Sequence, residues 1–214
     1  MRKFLGIAAL ALAVTAPAVQ AQVKDTGPWL VRLRATHLDS SNTNDAQLKG
    51  TLASLGSAEA SINNKWLPEL DISYFFTPNV AVELILTYPQ KQDLSITNVG
   101  VIGTFKHLPP TLTAQYHFTG LGGFRPYVGA GLNYTNISDV KWGATAQSLG
   151  LNLKRNSYGL AAQIGVDVPL SGGWLLNVDV KKVQIKTDVT SNGTKIGVFK
   201  VDPMLVSVGF GLRF

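Results

Sequence analysis

The chain predicts an all-β fold, an eight-stranded antiparallel transmembrane β-barrel with short periplasmic turns and long extracellular loops. Three observations carry this. The last eleven residues alternate strictly: Met204, Val206, Val208, Phe210, Leu212 and Phe214 form an apolar row, and Leu205, Ser207, Gly209, Gly211 and Arg213 a mostly small or polar one. Successive side chains on a strand point to opposite faces, so one face is greasy and the other wetter. The same period recurs in seven further segments, and the links between segments alternate short and long, the pattern of periplasmic turns and extracellular loops.

The first residues belong outside the fold. Arg2 and Lys3 precede an apolar run, Phe4 to Val14, that is too short to span a bilayer, which takes ~20 residues as a helix. Val19-Gln20-Ala21 supplies small residues before a cut at Ala21–Gln22, so residues 1–21 read as a secretory signal peptide and 22–214 as the barrel. Cys is absent. An exported domain without disulfides needs another source of closure, and a hydrogen-bonded cylinder is one.

The strands follow in order. Trp29 to His37 sets Trp29, Val31, Leu33 and Ala35 against Arg32, Arg34 and Thr36. Trp66 to Phe76 sets Trp66, Leu70, Ile72 and Tyr74 against Glu69, Asp71 and Ser73, and ends on the turn Thr77-Pro78-Asn79. Val80 to Tyr88 sets Val82, Leu84, Leu86 and Tyr88 against Ala81, Glu83, Ile85 and Thr87. Thr111 to Phe118 places Thr113, Gln115 and His117 on its polar row, and Arg125 to Thr135 places Tyr127, Gly129, Gly131 and Asn133 there. Tyr158 to Val168 contributes Gln163, Gly165 and Asp167, and Trp174 to about Lys186 contributes Asn177, Asp179 and Lys181. Each segment runs ~9–11 residues, the length of a tilted crossing. The aromatic residues gather near strand ends on the apolar row, as interfacial girdles do. The stretch Ala46 to Ala60, rich in Ser, Gly and Ala, reads as an exposed loop.

The inward rows carry both signs of charge. A lumen of eight strands is just wide enough for side chains to fill, and charges there are costly unless paired or wet. The expected interior is therefore a polar network of Arg32, Arg34, Glu69, Asp71, Glu83, Gln115, His117, Asp167, Asp179, Lys181 and Arg213, with the arginines paired to carboxylates. This argues against a broad aqueous pore. The loops carry apolar residues that strands do not require, and some of these are candidates to wall a greasy pocket over the polar lumen. Leu55, Ile85, Phe105, Pro109, Pro110 and Trp142 are the candidates for that pocket or for a lateral gap. Proline cannot donate to a ladder, so Pro109-Pro110 at the extracellular start of a strand loosens the wall.

Other functions are disfavoured. The formal charge of +6 and pI near 9.6 would suit nucleic acid, but two positive charges lie in the signal segment and the rest are scattered, with no basic run. There is no GxSxG and no HExxH, and His37, His107 and His117 lie on separate elements, so neither an enzyme nor a metal or cofactor site is expected.

Several ordered motifs resemble the OmpW family of outer-membrane proteins, including its alkane-uptake branch. They are Lys106-His107-Leu108-Pro109-Pro110-Thr111-Leu112-Thr113-Ala114-Gln115-Tyr116-His117-Phe118, Phe124-Arg125-Pro126-Tyr127-Val128-Gly129-Ala130-Gly131-Leu132-Asn133-Tyr134-Thr135, Asn79-Val80-Ala81-Val82-Glu83-Leu84 and Gln163-Ile164-Gly165-Val166-Asp167. The resemblance implies a barrel in the Gram-negative outer membrane that passes small hydrophobic molecules through an apolar pocket near its extracellular end, with sideways release into lipid. Lys181 stands where a more apolar inward residue is expected. Implied partners are outer-membrane lipids, lipopolysaccharide, small hydrophobic solutes, and the barrel-assembly machinery through the strand ending at Phe214. The alternative is a structural or adhesion barrel with a plugged lumen and binding loops.

Overall fold

The computed structural model describes residues 27–53 and 59–214. The signal-peptide expectation and Leu55 lie outside the described residues. Eight strands form the wall: β1 (Trp29–Asp39), β2 (Lys65–Phe75), β3 (Val80–Thr87), β4 (Thr111–His117), β5 (Arg125–Trp142), β6 (Asn156–Pro169), β7 (Trp174–Val183) and β8 (Met204–Arg213). Each pairs antiparallel with the next. β8 returns to β1, with Leu33 opposite Phe210, and closes the cylinder. Pairing of β8 with β1 removes the free edges at the two ends of the eight-stranded sheet, which is the condition for strands to exist in hydrocarbon.

The distribution of side chains is inside-out for a soluble protein. Leu132 is 66% exposed and Leu33 64%, while Arg32 and Asp71 are 0% exposed. The exposed apolar row therefore faces lipid, and the ionic row is sealed within. Around the periplasmic end the outward rings include Trp29, Tyr74, Phe76, Tyr116 and Phe118, with Trp29–Tyr74 and Tyr116–Phe118 packed edge-on at 4.9 and 5.1 Å. Around the other end lie Trp66, Tyr88, Tyr134 and Tyr158. These are the two girdles expected at the membrane interfaces.

The periplasmic turns follow from their residues. Thr77 Oγ1 accepts the backbone N–H groups of Asn79 and Val80, which tightens the first turn. The third turn needs left-handed backbone at Gly172 and Gly173 (φ 67° and 81°), which glycine adopts without strain.

Above the girdle the chain departs from the loops expected of it. Gln90–Ile96 and Gly100–Leu108 form a hairpin that continues the wall. Lys186–Ser191 and Thr194–Lys200 form a second, joined at Asn192-Gly193, both with positive φ as a type I′ turn requires. β5 runs on to Trp142 instead of ending near Thr135, because its upper part pairs with the first hairpin. β7 stops at Val183, short of Lys186. The exposed-loop expectation for Ala46 to Ala60 is corrected: Ala46–Ala53 is a helix, α1, and Ala60–Ile62 a short strand against the first hairpin. Asp45 Oδ1 accepts the Leu48 N–H at 2.8 Å and caps α1, and Leu48 and Leu52, four apart, are its buried face.

Candidate functional site

The interior is layered. At the periplasmic mouth Leu30, Phe75, Ala81 and Leu175 form a small apolar stopper. Arg213 sits at this rim, its guanidinium 3.9 Å over the Phe75 ring and its Nε donating to the Gly27 carbonyl.

Above the stopper is an ionic plug, and strand register builds it. Arg32 lies opposite Asp71 and Arg34 opposite Glu69 on the β1–β2 ladder, while Ser73 faces Glu83 on β2–β3. From these positions Arg32 reaches across the lumen. It grips Asp167 with two donors, Nη2 to Oδ2 at 2.6 Å and Nε to Oδ1 at 3.2 Å, and meets Glu83 Oε2 at 2.5 Å. The planar fork of arginine suits such bidentate contact. Arg34 Nε lies 2.6 Å from Asp71 Oδ2 and 3.0 Å from Glu69 Oε1. Lys181 Nζ completes the upper layer at 3.1 Å from Glu69 Oε1. Gln115 donates to Glu83 Oε1 at 2.7 Å, and His117 Nε2 lies 2.9 Å from Gln115 Oε1. Asp179 accepts from the Tyr127 hydroxyl at 2.8 Å.

Tyr127, fully buried, is a member that sequence reasoning left out of the network. Its imidazole neighbour His117 stacks on it at 4.8 Å, and Arg32 lies 5.2 Å from its centroid. The signal was the run of inward glycines around it. A Cβ at Gly165 would lie 2.4 Å from Tyr127 Cζ, so the ring occupies the space that glycine leaves.

Above the plug the interior becomes mostly apolar, with Gln90, Gln92 and His107 buried within it. Three apolar cavities share walls. The lowest rests on Glu69 and Lys181 and is walled by Leu38, Leu67, Ile85 and Pro109, with Gln90 and Thr111 beside them. It shares His107 and Ile185 with a second, which is also lined by Phe105. That one shares Phe199 with a third under Leu48, Leu52 and Trp142. Of the predicted pocket residues, Ile85 and Pro109 thus line the lowest cavity, Phe105 the middle and Trp142 the uppermost, while Pro110 sits in the wall.

His107 separates the two lower cavities. Burial, with the Lys65 charge adding to it, lowers its pKa to about 4, so the ring is neutral at ordinary pH.

Beside the lowest cavity the wall is unzipped. The β3–β4 ladder ends at Ile85 opposite Thr111, and pairing resumes at Gln90 opposite His107 in the first hairpin. On the neighbouring strand the β2–β3 ladder begins only at Glu69 opposite Thr87. Pro68, Pro89, Pro109 and Pro110 flank this break, each lacking a backbone donor. Pro68 and Pro89 were not singled out in the sequence, although a proline inside a strand pattern is the cue that marks them. On its other side Pro110 stays tied to the wall, its carbonyl accepting from Tyr134 N at 3.1 Å.

The closed eight-stranded cylinder, its lipid-facing apolar belt and its ionic lumen define an outer-membrane β-barrel. The family model described as the OmpW family matches residues 25–214, and the chain belongs to that family. It is 32% identical over 220 residues to Outer membrane protein W of Vibrio cholerae, covering 98% of this chain and 97% of the relative. The crystal structure of OprG from Pseudomonas aeruginosa superposes with a TM-score of 0.74 at 28% identity, covering 89% of this chain and 97% of that one. The solid-state NMR structure of outer membrane protein AlkL in DMPC bilayers does so with a TM-score of 0.64 at 26% identity, covering 93% and 95%. The protein is a resident of the outer membrane.

Proposed function

We propose that this barrel takes up small hydrophobic molecules from outside and releases them sideways into the membrane. The observation that carries the reading is the apolar chamber that ends on a charged plug and adjoins an unzipped, proline-flanked wall. A greasy solute gains by leaving water for the chamber. It gains nothing by continuing downward, because the plug offers charged and polar groups that a hydrocarbon cannot satisfy. The wall at Leu86–Pro89 and Leu108–Pro110 lacks the ladder that closes a barrel elsewhere, so the sideways route crosses no strand hydrogen bonds. Likeness to AlkL is consistent with this use. The belt of exposed leucines and aromatic rings contacts lipid, lipopolysaccharide borders the upper girdle, and the β8 strand ending at Phe214 serves recognition by the assembly machinery in the same reading.

The test is uptake of a labelled long-chain hydrocarbon by cells with and without the protein, and by cells carrying Pro110→Val or the double change Pro109→Val/Pro110→Val. The proline variants, which restore backbone donors, are expected to reduce uptake several-fold while the barrel still assembles. Unchanged uptake in the double variant removes the sideways route, and uptake independent of the protein removes the transport reading.

A further inference from the structure

We infer that the chamber prefers hydrophobic molecules that carry one neutral oxygen head, such as an alcohol or a ketone, over bare hydrocarbons and over carboxylates or amines. This rests on the uptake reading and names its substrate class. The chamber walls are mostly apolar, with Gln90, His107 and Thr111 among them, and its floor is polar. Thr87 is the cross-strand partner of Glu69, so its hydroxyl borders the Lys181–Glu69 pair. Thr87 Oγ1 is buried and has no hydrogen-bond partner among the described residues. Lys181 carries three N–H donors. One reaches Glu69 Oε1 at 3.1 Å, while Asp179 Oδ1, at 3.8 Å, is beyond hydrogen-bond range. The floor thus offers a hydroxyl and spare ammonium hydrogens, both at buried positions.

An alkane covers these groups without bonding them, which leaves buried polar atoms unsatisfied. An oxygen head accepts from Lys181 and pairs with Thr87, while its chain fills the walls of Leu38, Leu67 and Ile85. Charge sets the remaining limits. Glu69 and Lys181 already pair at 3.1 Å, so a carboxylate head sets a second anion beside Glu69 and an ammonium head a second cation beside Lys181, and either carries its own desolvation cost into the buried site. The neutral oxygen head brings no charge to bury.

The experiment is a matched series of decane, 1-decanol, 2-decanone, decanoate and decylamine, titrated against the full barrel in lipid nanodiscs, with partition into protein-free nanodiscs subtracted. Decanol and decanone are expected to bind at least ~tenfold more tightly than decane, the scale of one additional net interaction. Thr87→Val, which keeps the side-chain shape and removes a hydroxyl that decane cannot pair, is expected to cut that preference about threefold or more. The double variant Lys181→Met/Glu69→Gln, which removes one charge of each sign, is expected to abolish it. Decane binding as tightly as decanol, or an unaltered preference in Thr87→Val, overturns the head-group assignment and leaves the uptake reading standing. Decanoate or decylamine binding ahead of decanol overturns it equally. If nothing in the series binds, both fall.

Discussion

Below Thr111 the lumen is filled by ions; above it, mostly by apolar side chains. The two regions share a wall but not a way of being held. In the plug, each arginine is placed by strand register and engages carboxylates from several strands, so the contacts brace the cylinder across its diameter. In the chamber, α1, the two upper hairpins and the top of β5 pack leucine, isoleucine and phenylalanine against one another, and among the described residues no ion pair crosses the middle. The lesson is a division of labour. Paired charge braces the cylinder, and in the proposed uptake reading it is the floor that apolar solutes do not cross, with the apolar packing above it as the space they occupy and leave.

The largest break in this contrast comes from Arg32→Met. It takes from Glu83 and Asp167, both buried, the guanidinium that bridges them. Removing one partner of a buried ionic network costs about 3–5 kcal/mol. Urea unfolding in lipid vesicles is expected to show the whole barrel transition shift by that amount. A shift below about 1 kcal/mol, the scale of an exposed pair, removes the bracing role of the plug.

Leu48→Ala acts in the other region. Leu48 is buried at 2% exposure beneath the second hairpin, and such truncations cost about 2–5 kcal/mol where the loss is felt. Because α1 is not part of the closed wall, the loss is expected to appear as local opening. Limited proteolysis around α1 is expected to quicken while the barrel transition stays in place. A matching fall in the barrel transition joins the two regions into one cooperative unit.

Acid sharpens the contrast further. His107, held neutral with its pKa lowered to about 4 against an ordinary 6.5, lies above the upper girdle at the wall of two cavities. The unfolded chamber binds the proton more readily than the folded one, so the stability this residue contributes is complete above pH 6.5. It drains as pH falls from 6.5 to about 4, by on the order of a few kcal/mol. Hydrogen exchange in the first hairpin is expected to rise across that window in the native protein and not in His107→Gln.

How much of this was legible in the sequence follows the same division. The plug was almost wholly readable, because a strand has period two and one greasy face fixes the other: Arg32, Arg34, Glu69, Asp71 and Asp179 were on the inward rows before any fold was known. Tyr127 was on the same row and missed, since an aromatic residue there looks like a wall element until the space above Gly165 is seen to hold its ring. The chamber was readable only as composition. Leu48 and Leu52 declared apolar surplus, but an eight-residue helix containing Gly50 carries too little periodicity to announce itself. The break in the wall needed two prolines from other strands, Pro68 and Pro89, whose proximity to Pro109-Pro110 is a matter of register and invisible along the chain.

The smallest effect tests whether charge braces only where it is buried. Lys106 and Asp139 form a pair at 3.0 Å with both side chains 43% exposed, outside the lumen on the extended part of the wall. Water and salt screen such a pair. Asp139 also stands in left-handed backbone, φ 48°, a conformation that Asp and Asn tolerate and branched residues do not. Asp139→Asn removes the charge and keeps the backbone preference, so neither the barrel transition nor proteolysis of the upper layer is expected to change. Asp139→Val removes both and is expected to loosen the upper end of β5. If the Asn variant loosens it as much as the Val variant, the exposed ion pair braces the chamber after all, and the contrast between an ionic floor and an apolar superstructure has to be redrawn.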